Sequence, residues 1–395
     1  MKDILRMPFF AQKRLMKRRT FKMENHSKVY IRPLDLDMAS VISQNSRENL
    51  YAFLKRMDLE VERHWEKEVL SLLLKDTIMD NPEYILTIFG KEVLQFLIYL
   101  WEYDKNEIII EQKDWSIIGQ LKLIGFVDFT YVEQEMDRFH IVYVIQEAKD
   151  AFYFYLKSKT AKMMMDRFHT WEELIRGMMA HYGIMSFGRL YYHFCRMIKS
   201  PIDDSELHLF LSSRFDLHHF GCFAIEKPSN IEYYQSYEIS NPEQVIDKRQ
   251  EMKDREFFSP DYEDAIYIAQ NNGIGNWDGI SSIAEIFLQL LDIEYYKTVI
   301  AIKTCILMAQ NDETVEAMEA YLLGSYPECR PYKDKIHGAV YSLYNSVPVY
   351  SLKGYSRKEL KKINPATPPF TMIRGGKSGL NKKGGNRNEC QHTDC

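Results

Sequence analysis

The residues best suited to chemistry stand in the closing stretch GGNRNECQHTDC. Cys390, His392 and Cys395 put three borderline-soft ligands within six residues. A closed structural zinc site takes four ligands in a tetrahedron, so these three need a fourth from elsewhere in the chain or from a partner. Zinc is the only cofactor they point to, and the expectation is that the isolated tail does not hold it tightly. A second cluster comprises His208, His218, His219 and Cys222. Neighbouring residues on a strand face opposite ways, so His218 and His219 do not readily serve one ion. Cys195, Cys222, Cys305 and Cys329 sit singly in apolar or helical contexts and read as buried free thiols.

Other chemistry-bearing patterns read as local structure. Gly273-x-Gly275 in NNGIGNWDG has no strand before it and lacks the third glycine of a dinucleotide fingerprint, so it reads as a helix–helix loop. The pair Asp203-Asp204 reads as the acidic start of a helix, favoured by the helix dipole. HExxH, nucleophile-elbow and phosphate-loop patterns do not occur. No catalytic or cofactor-binding residue is assigned, and the chain is expected not to be an enzyme.

Charge is distributed unevenly. Residues 1–24 hold eight Lys/Arg against Asp3 and Glu24, a balance of +6. Residues 371–395 hold Arg374, Lys377, Lys382, Lys383 and Arg387 against Glu389 and Asp394, a balance of +3. With −5 overall, residues 25–370 carry −14. An acidic body with basic ends suits a polyphosphate only at those ends, so nucleic-acid contact would fall to Lys13, Arg14, Lys17, Arg18 and Arg19 and to the tail. No run approaches the roughly 20 apolar residues of a membrane span. The opening residues lack the apolar core of a secretory signal, so a cytoplasmic location without membrane contact is expected.

The 395 residues, 46% of them hydrophobic and 27% charged, are enough for two or three compact units. Helical spacing runs from Leu50 through Phe53, Leu54, Met57, Val61, Trp65 and Val69 to Leu72 and Leu73. After Asn81-Pro82, one wide-faced helix is expected from Tyr84 to Trp101, broken by Asp104-Lys105-Asn106. DWSIIGQLKLIGFV then reads as a short helix ending at Gly125, and FVDFTYV and RFHIVYVI as a hairpin. Helices followed by a hairpin give the order of a winged helix. The order recurs downstream. Thr170 to Glu173 reads as a capping box opening a helix that Gly183 ends, a second helix follows Ser186, and a third starts at Asp203-Asp204. HHFGCFAIE and IEYYQSYEI supply the second hairpin. A helical region is expected from an N-cap at Ser259 before Pro260.

A winged helix that reads DNA presents Arg, Lys, Asn or Gln from its third helix. The first unit offers only Lys113, Gln120 and Lys122 there, with Glu133, Glu135 and Asp137 on its wing, and the second begins with acids. Protein-contacting or architectural winged helices are therefore the better reading.

The segment YNSVPVYSLKGYSRKEL, Tyr344 to Leu360, resembles a passage in uncharacterised bacterial proteins that end in a SEC-C zinc motif, through Gly354-Tyr355-Ser356 and Glu359-Leu360. The layout of helical units and hairpins, and FFSPDYEDAIYIAQ at the start of the last helical region, are similar too. In the family a glycine-rich basic turn, roughly Gly-Arg-Asn-Asp-Pro-Cys-x-Cys, opens the zinc module. Gly385 to His392 is similar to that opening, with Cys390 at the first ligand position and His392 where the second Cys belongs. The later ligand pair has no counterpart, and Cys395 is too close to replace it, so the module reads as eroded or truncated. SEC-C modules elsewhere, as at the end of the preprotein translocase motor, contact proteins and the ribosome, which implies an interaction role.

The expected fold is mainly α. A basic arm at 1–28 precedes a helical and first winged-helix-like unit at 45–160. A second such unit follows at 165–245, then a helical domain at 257–346 and a flexible tail at 364–395. The expected function is a non-catalytic adaptor or regulator with an unidentified protein partner. The alternative is a winged-helix nucleic-acid-binding regulator using the arm and tail.

Overall fold

A computed structural model describes residues 36–102, 107–110, 115–134, 137–217, 222–226 and 231–363. The fold is mainly α, with two three-stranded antiparallel sheets among the described residues. Helix α1 (Met38–Ile42) starts on Asp37, whose carboxylate accepts from the Ser40 N–H. Helix α2 (Arg47–Arg56) starts on Ser46 in the same way. The expected single run from Leu50 to Leu73 is split. Asp58 turns the chain into the left-handed region, and α3 (Lys67–Asp80) begins only after a non-helical stretch. Val69 and Leu72 consequently face outward, 49% and 52% exposed.

The expected Tyr84–Trp101 helix is also two. Helix α4 (Glu83–Ile88) ends on an extended, buried Phe89, and α5 (Lys91–Glu102) begins past Gly90. Strand β1 (Glu107–Ile110) follows, then α6 (Trp115–Leu123), β2 (Val127–Gln134) and β3 (Asp137–Val144). The sheet order is β1-β3-β2, with Ile109 opposite Ile141 and Phe129 opposite Val142. Gly125 closes α6 at φ 77, where a side chain would collide with the Met38 carbonyl of α1.

Helix α7 (Gln146–Lys157) meets α8 (Lys159–Tyr182) at Ser158, which caps α8 by accepting from Ala161. The expected helix start at Thr170 is thereby corrected. Helix α8 runs unbroken through it, and the Thr170 hydroxyl donates back to the Asp166 carbonyl at 3.1 Å. Gly183 does end the helix, at φ 68. Strand β4 (Ile184–Ser186), α9 (Phe187–Ile198), α10 (Asp204–Leu217), β5 (Cys222–Glu226) and β6 (Ile231–Gln235) follow, in sheet order β4-β6-β5. The second unit thus runs helix, strand, helix, helix, strand, strand, with its last strand central.

Helix α11 (Pro242–Gln250) is capped by Asn241. Helix α12 (Tyr262–Gln270) has its N-cap at Asp261, two residues beyond the expected Ser259. A helical region follows. Helix α13 (Ile280–Glu285) runs into a π turn at Ile286–Leu290, and α14 (Tyr295–Gln310), α15 (Val315–Ser325), α16 (Lys333–Ser346) and α17 (Arg357–Ile363) complete it. One apolar core reaches from Met38 to Ala265 and another from Ile274 to Val347. Helix α12 lies so close on α8 that a Cβ at Gly177 would overlap the Ala265 carbonyl. Among the described residues no helix is long and apolar enough to cross a membrane.

Candidate functional site

The metal candidates Cys390, His392 and Cys395 and the basic candidates Lys13, Arg14, Lys17, Arg18 and Arg19 lie outside the described residues. So do His218 and His219. His208 packs edge-on against the Phe187 ring, centroids 5.2 Å apart. No group of three or more metal-ligating side chains occurs among the described residues. Burial pushes the Cys305 thiol up to about 12 and Cys329 up to about 11, which keeps both protonated and unreactive. Gly273, at φ 82, and Gly275, under the Trp277 ring, lie in the loop between α12 and α13.

The third helix of the second unit decides what this unit can touch. Asp203, Asp204 and Ser205 at its start are exposed, but from Leu207 to Arg214 every residue of α10 is buried or half-buried. Phe210 stacks on Phe168 at 5.3 Å and meets Trp171 edge-on at 5.5 Å, both from α8. The Ser212 hydroxyl donates to the Arg56 carbonyl at the end of α2, 2.8 Å away. Arg214, 1% exposed, donates from Nε to the Thr87 carbonyl at 2.6 Å and from Nη2 to the Leu86 carbonyl at 2.7 Å. Its Nη1 donates to the Glu172 carboxylate at 2.7 Å. Burial pulls this guanidinium down to about 10, against the opposing pull of Glu172, so Arg214 keeps its charge at neutral pH. The carbonyls that α4 leaves unpaired at its end are thus satisfied from α10. Between Leu207 and Arg214 the helix is thus held by α2, α4 and α8, and none of these residues is exposed.

The first unit gives a similar result. Lys113 lies outside the described residues, and Gln120 is half-buried. Lys122 donates to Asp128 at 2.6 Å and lies 4.4 Å over the Phe129 ring. Between Ile117 and Leu123 only Gly119 is exposed.

Among the described residues of the second unit an exposed basic face belongs to α9, where Arg189, Tyr192 and Arg196 recur at helical spacing and Lys199 follows as the left-handed C-cap. At its N-terminal end Ser186, Gly188, Arg189, Tyr192 and Glu256 line a cleft of about 540 Å³. Arg189 and Glu256 pair across it at 3.1 Å.

Two buried cations, Arg249 and Lys353, and the half-buried Asp312 tie the C-terminal region to the chain before it, and sequence reasoning picked out none of them. Arg249 donates to the carbonyls of Tyr350 at 2.7 Å, Ile184 at 2.5 Å and Tyr182, with the Phe257 ring 5.1 Å from its guanidinium. Lys353 donates to the Met252 and Arg255 carbonyls, both at 2.6 Å. Asp312 accepts from Arg357 at 2.8 Å, Lys248 at 3.0 Å and the Ser351 hydroxyl. A lone Arg or Lys in a polar stretch gives no sign of burial, because its acceptors are main-chain carbonyls that no side-chain pattern marks.

The stretch Gly354 to Leu360 has a local role. Gly354 takes φ 82 against the Tyr182 ring. Ser356 and Glu359 form a reciprocal capping box at the start of α17. Ser356 donates from its N–H to the Glu359 carboxylate at 2.8 Å, and the Glu359 N–H donates to the Ser356 hydroxyl at 3.2 Å. Compared with known protein families, curated proteins and solved structures, the chain matches none.

Proposed function

We propose that the chain is a non-catalytic cytoplasmic adaptor or regulator acting through protein–protein contacts, with winged-helix-like units serving as scaffold. The observation that carries this reading is the enclosure of α10. The second unit has the strand and helix order of a winged helix, yet the helix that would read bases is fixed to α2, α4 and α8 by Ser212 and the Arg214–Glu172 pair. Exposed apolar side chains offer protein-contact surface in its place, including Tyr295, Tyr296 and Ile300 on α14. The sequence resemblance to proteins with a SEC-C motif agrees with an interaction role.

A second reading, nucleic-acid binding, is favoured by the α9 face of Arg189, Tyr192, Arg196 and Lys199 together with the basic arm. Fluorescence anisotropy of the full chain with labelled duplex and single strands between 50 and 200 mM salt separates the two. The adaptor reading expects no binding that steepens at low salt, together with specific co-purification of a protein that Ile300→Asp abolishes. Affinity that falls about tenfold or more over that range, and is lost on Arg196→Glu, would establish the second reading instead.

A further inference from the structure

Helix α3, KEVLSLLLKDTIMD, is too apolar for the position it occupies. Leu70, Leu74 and Ile78 fill the core, but Val69, Leu72 and Met79 point outward at 49%, 52% and 38% exposure. A helix with apolar residues all round is ordinarily covered on every side. The outward arc also holds three exposed acids, Glu68, Asp76 and Asp80, interleaved with the three apolar side chains. At 3.6 residues per turn these six positions form one continuous strip beginning beside Lys75.

The described chain begins at the edge of that strip. The Met38 N–H donates to the Glu147 carboxylate at 2.8 Å, and Lys75 of α3 pairs with the other oxygen of the same group at 2.6 Å. Lys75 is also close enough to Asp37 to help hold its carboxyl below the usual range, after the larger effect of hydrogen bonds from Ser40. The described chain therefore starts beside α3, at the point where the preceding residues join it. They carry the complement of its surface, with Ile4, Leu5, Phe9, Phe10, Leu15 and Met16 among eight Lys/Arg in residues 1–24. The 13 residues from Glu24 to Asp37 reach on the order of 40 Å if extended, against about 20 Å for the whole of α3.

We propose that residues 1–24 lie along the outward face of α3, apolar side chains on Val69, Leu72 and Met79 and basic ones against Glu68, Asp76 and Asp80. The tether keeps the segment at high local concentration, so a modest surface suffices. This contact is within the chain and is independent of the adaptor reading. It also occupies, on α3, the same Lys13–Arg19 run that phosphate contact would need.

Chymotrypsin cleavage after Phe9, Phe10 and Phe21 in the full chain, followed by mass spectrometry, tests it. The wild type is expected to be cut slowly at a rate independent of protein concentration. Leu72→Asp and Asp76→Lys are each expected to accelerate cleavage about fivefold or more, because cleavage follows the released population. Asp76 is exposed, so its replacement leaves the core intact, and adding Arg14→Glu and Arg18→Glu to Asp76→Lys is expected to restore protection. Tyr341→Asp, at an exposed position on α16, is the control and should leave the cleavage rate unchanged. Equal cleavage of wild type, Leu72→Asp and Asp76→Lys overturns the proposal, as does equal acceleration by Tyr341→Asp. Protection that fades on dilution also overturns it, since the strip would then be covered by a second copy.

Discussion

Replacing Arg214 by Met tests the enclosure of α10 most directly. Three hydrogen bonds vanish at once, to Thr87, Leu86 and Glu172. The Leu86 carbonyl loses the Arg214 donor, the Thr87 carbonyl is left with the Ser213 hydroxyl at 3.4 Å, and the Glu172 carboxylate, 8% exposed, is left with Arg176 at 3.9 Å. Arg176 is 46% exposed, so water screens that remaining partner heavily. Breaking a buried pair from one side costs about 3–5 kcal/mol. We expect the middle of that range, about 4 kcal/mol, because the carbonyls that lose Arg214 add to the uncompensated charge. Adding Glu172→Met removes the stranded carboxylate, and the double variant should recover about 2 kcal/mol. Equilibrium urea unfolding, followed by far-UV circular dichroism and by the fluorescence of Trp171 against Phe168, Phe194 and Phe210, measures both. A cost below about 1 kcal/mol for Arg214→Met, or a double variant less stable than the single, would show that Arg214 does not anchor α10.

Further expectations follow from other positions. His181 is stacked on Phe258, and burial pushes its pKa down to about 4, the Gly177 backbone pulling weakly the other way. A histidine whose folded pKa lies below its unfolded value takes its proton on unfolding. Stability present at pH 7 should therefore fall as pH drops from 6.5 towards 4, by about 3 kcal/mol in total from this group. The difference in unfolding free energy between wild type and His181→Phe, measured across that window, should shift by this amount, and a flat difference counts against the assignment. Gly177→Ala should cost about 2–3 kcal/mol by driving α12 off α8, whereas Gly119→Ala, with open space at its Cβ, should be neutral or stabilising by up to about 1 kcal/mol. Zinc should not remain with the full chain through gel filtration. One equivalent retained, and lost in Cys390→Ser, would show that the tail completes a site.

Local signals were legible where local geometry decides the outcome. Gly183, Ser186, Asp203-Asp204 and Asn271 to Gly273 mark breaks that the chain takes for steric and capping reasons, and all four fall where the helices change. Long-range effects were not legible. Thr170-x-x-Glu173 has the composition of a capping box, but α8 already runs through it, and Glu173 turns outward to Gln270 at 3.0 Å. Ser356-x-x-Glu359 has the same composition and does cap, because Gly354 turns the chain just before it. The Phe89 break reflects acceptors taken by Arg214, more than a hundred residues away, which no window on the sequence contains. Helix α11 was missed because its charged sequence shows little periodicity, although Asn241-Pro242 announced it. Of the candidate site, the acidic start of α10 was visible as a warning against DNA. Its burial was not, since that depends on which helices fold over it.

The placement of Arg249 also bears on the order in which a growing chain can mature. Its guanidinium closes on carbonyls of Tyr182 and Ile184, made long before it, and of Tyr350, made about a hundred residues after it. Beside it, the Tyr350 ring fills the space against Gly183, where even a methyl group would collide. During translation the second unit can collapse around α8, α9 and α10, but the seam at Gly183 stays wet and its arginine stays one acceptor short until Tyr350 leaves the exit tunnel. The last helical region therefore acts as a latecomer that seals what was built before it. A chain cut short anywhere ahead of Tyr350 would leave Arg249 without one of its three carbonyl acceptors and Gly183 without the ring that covers it.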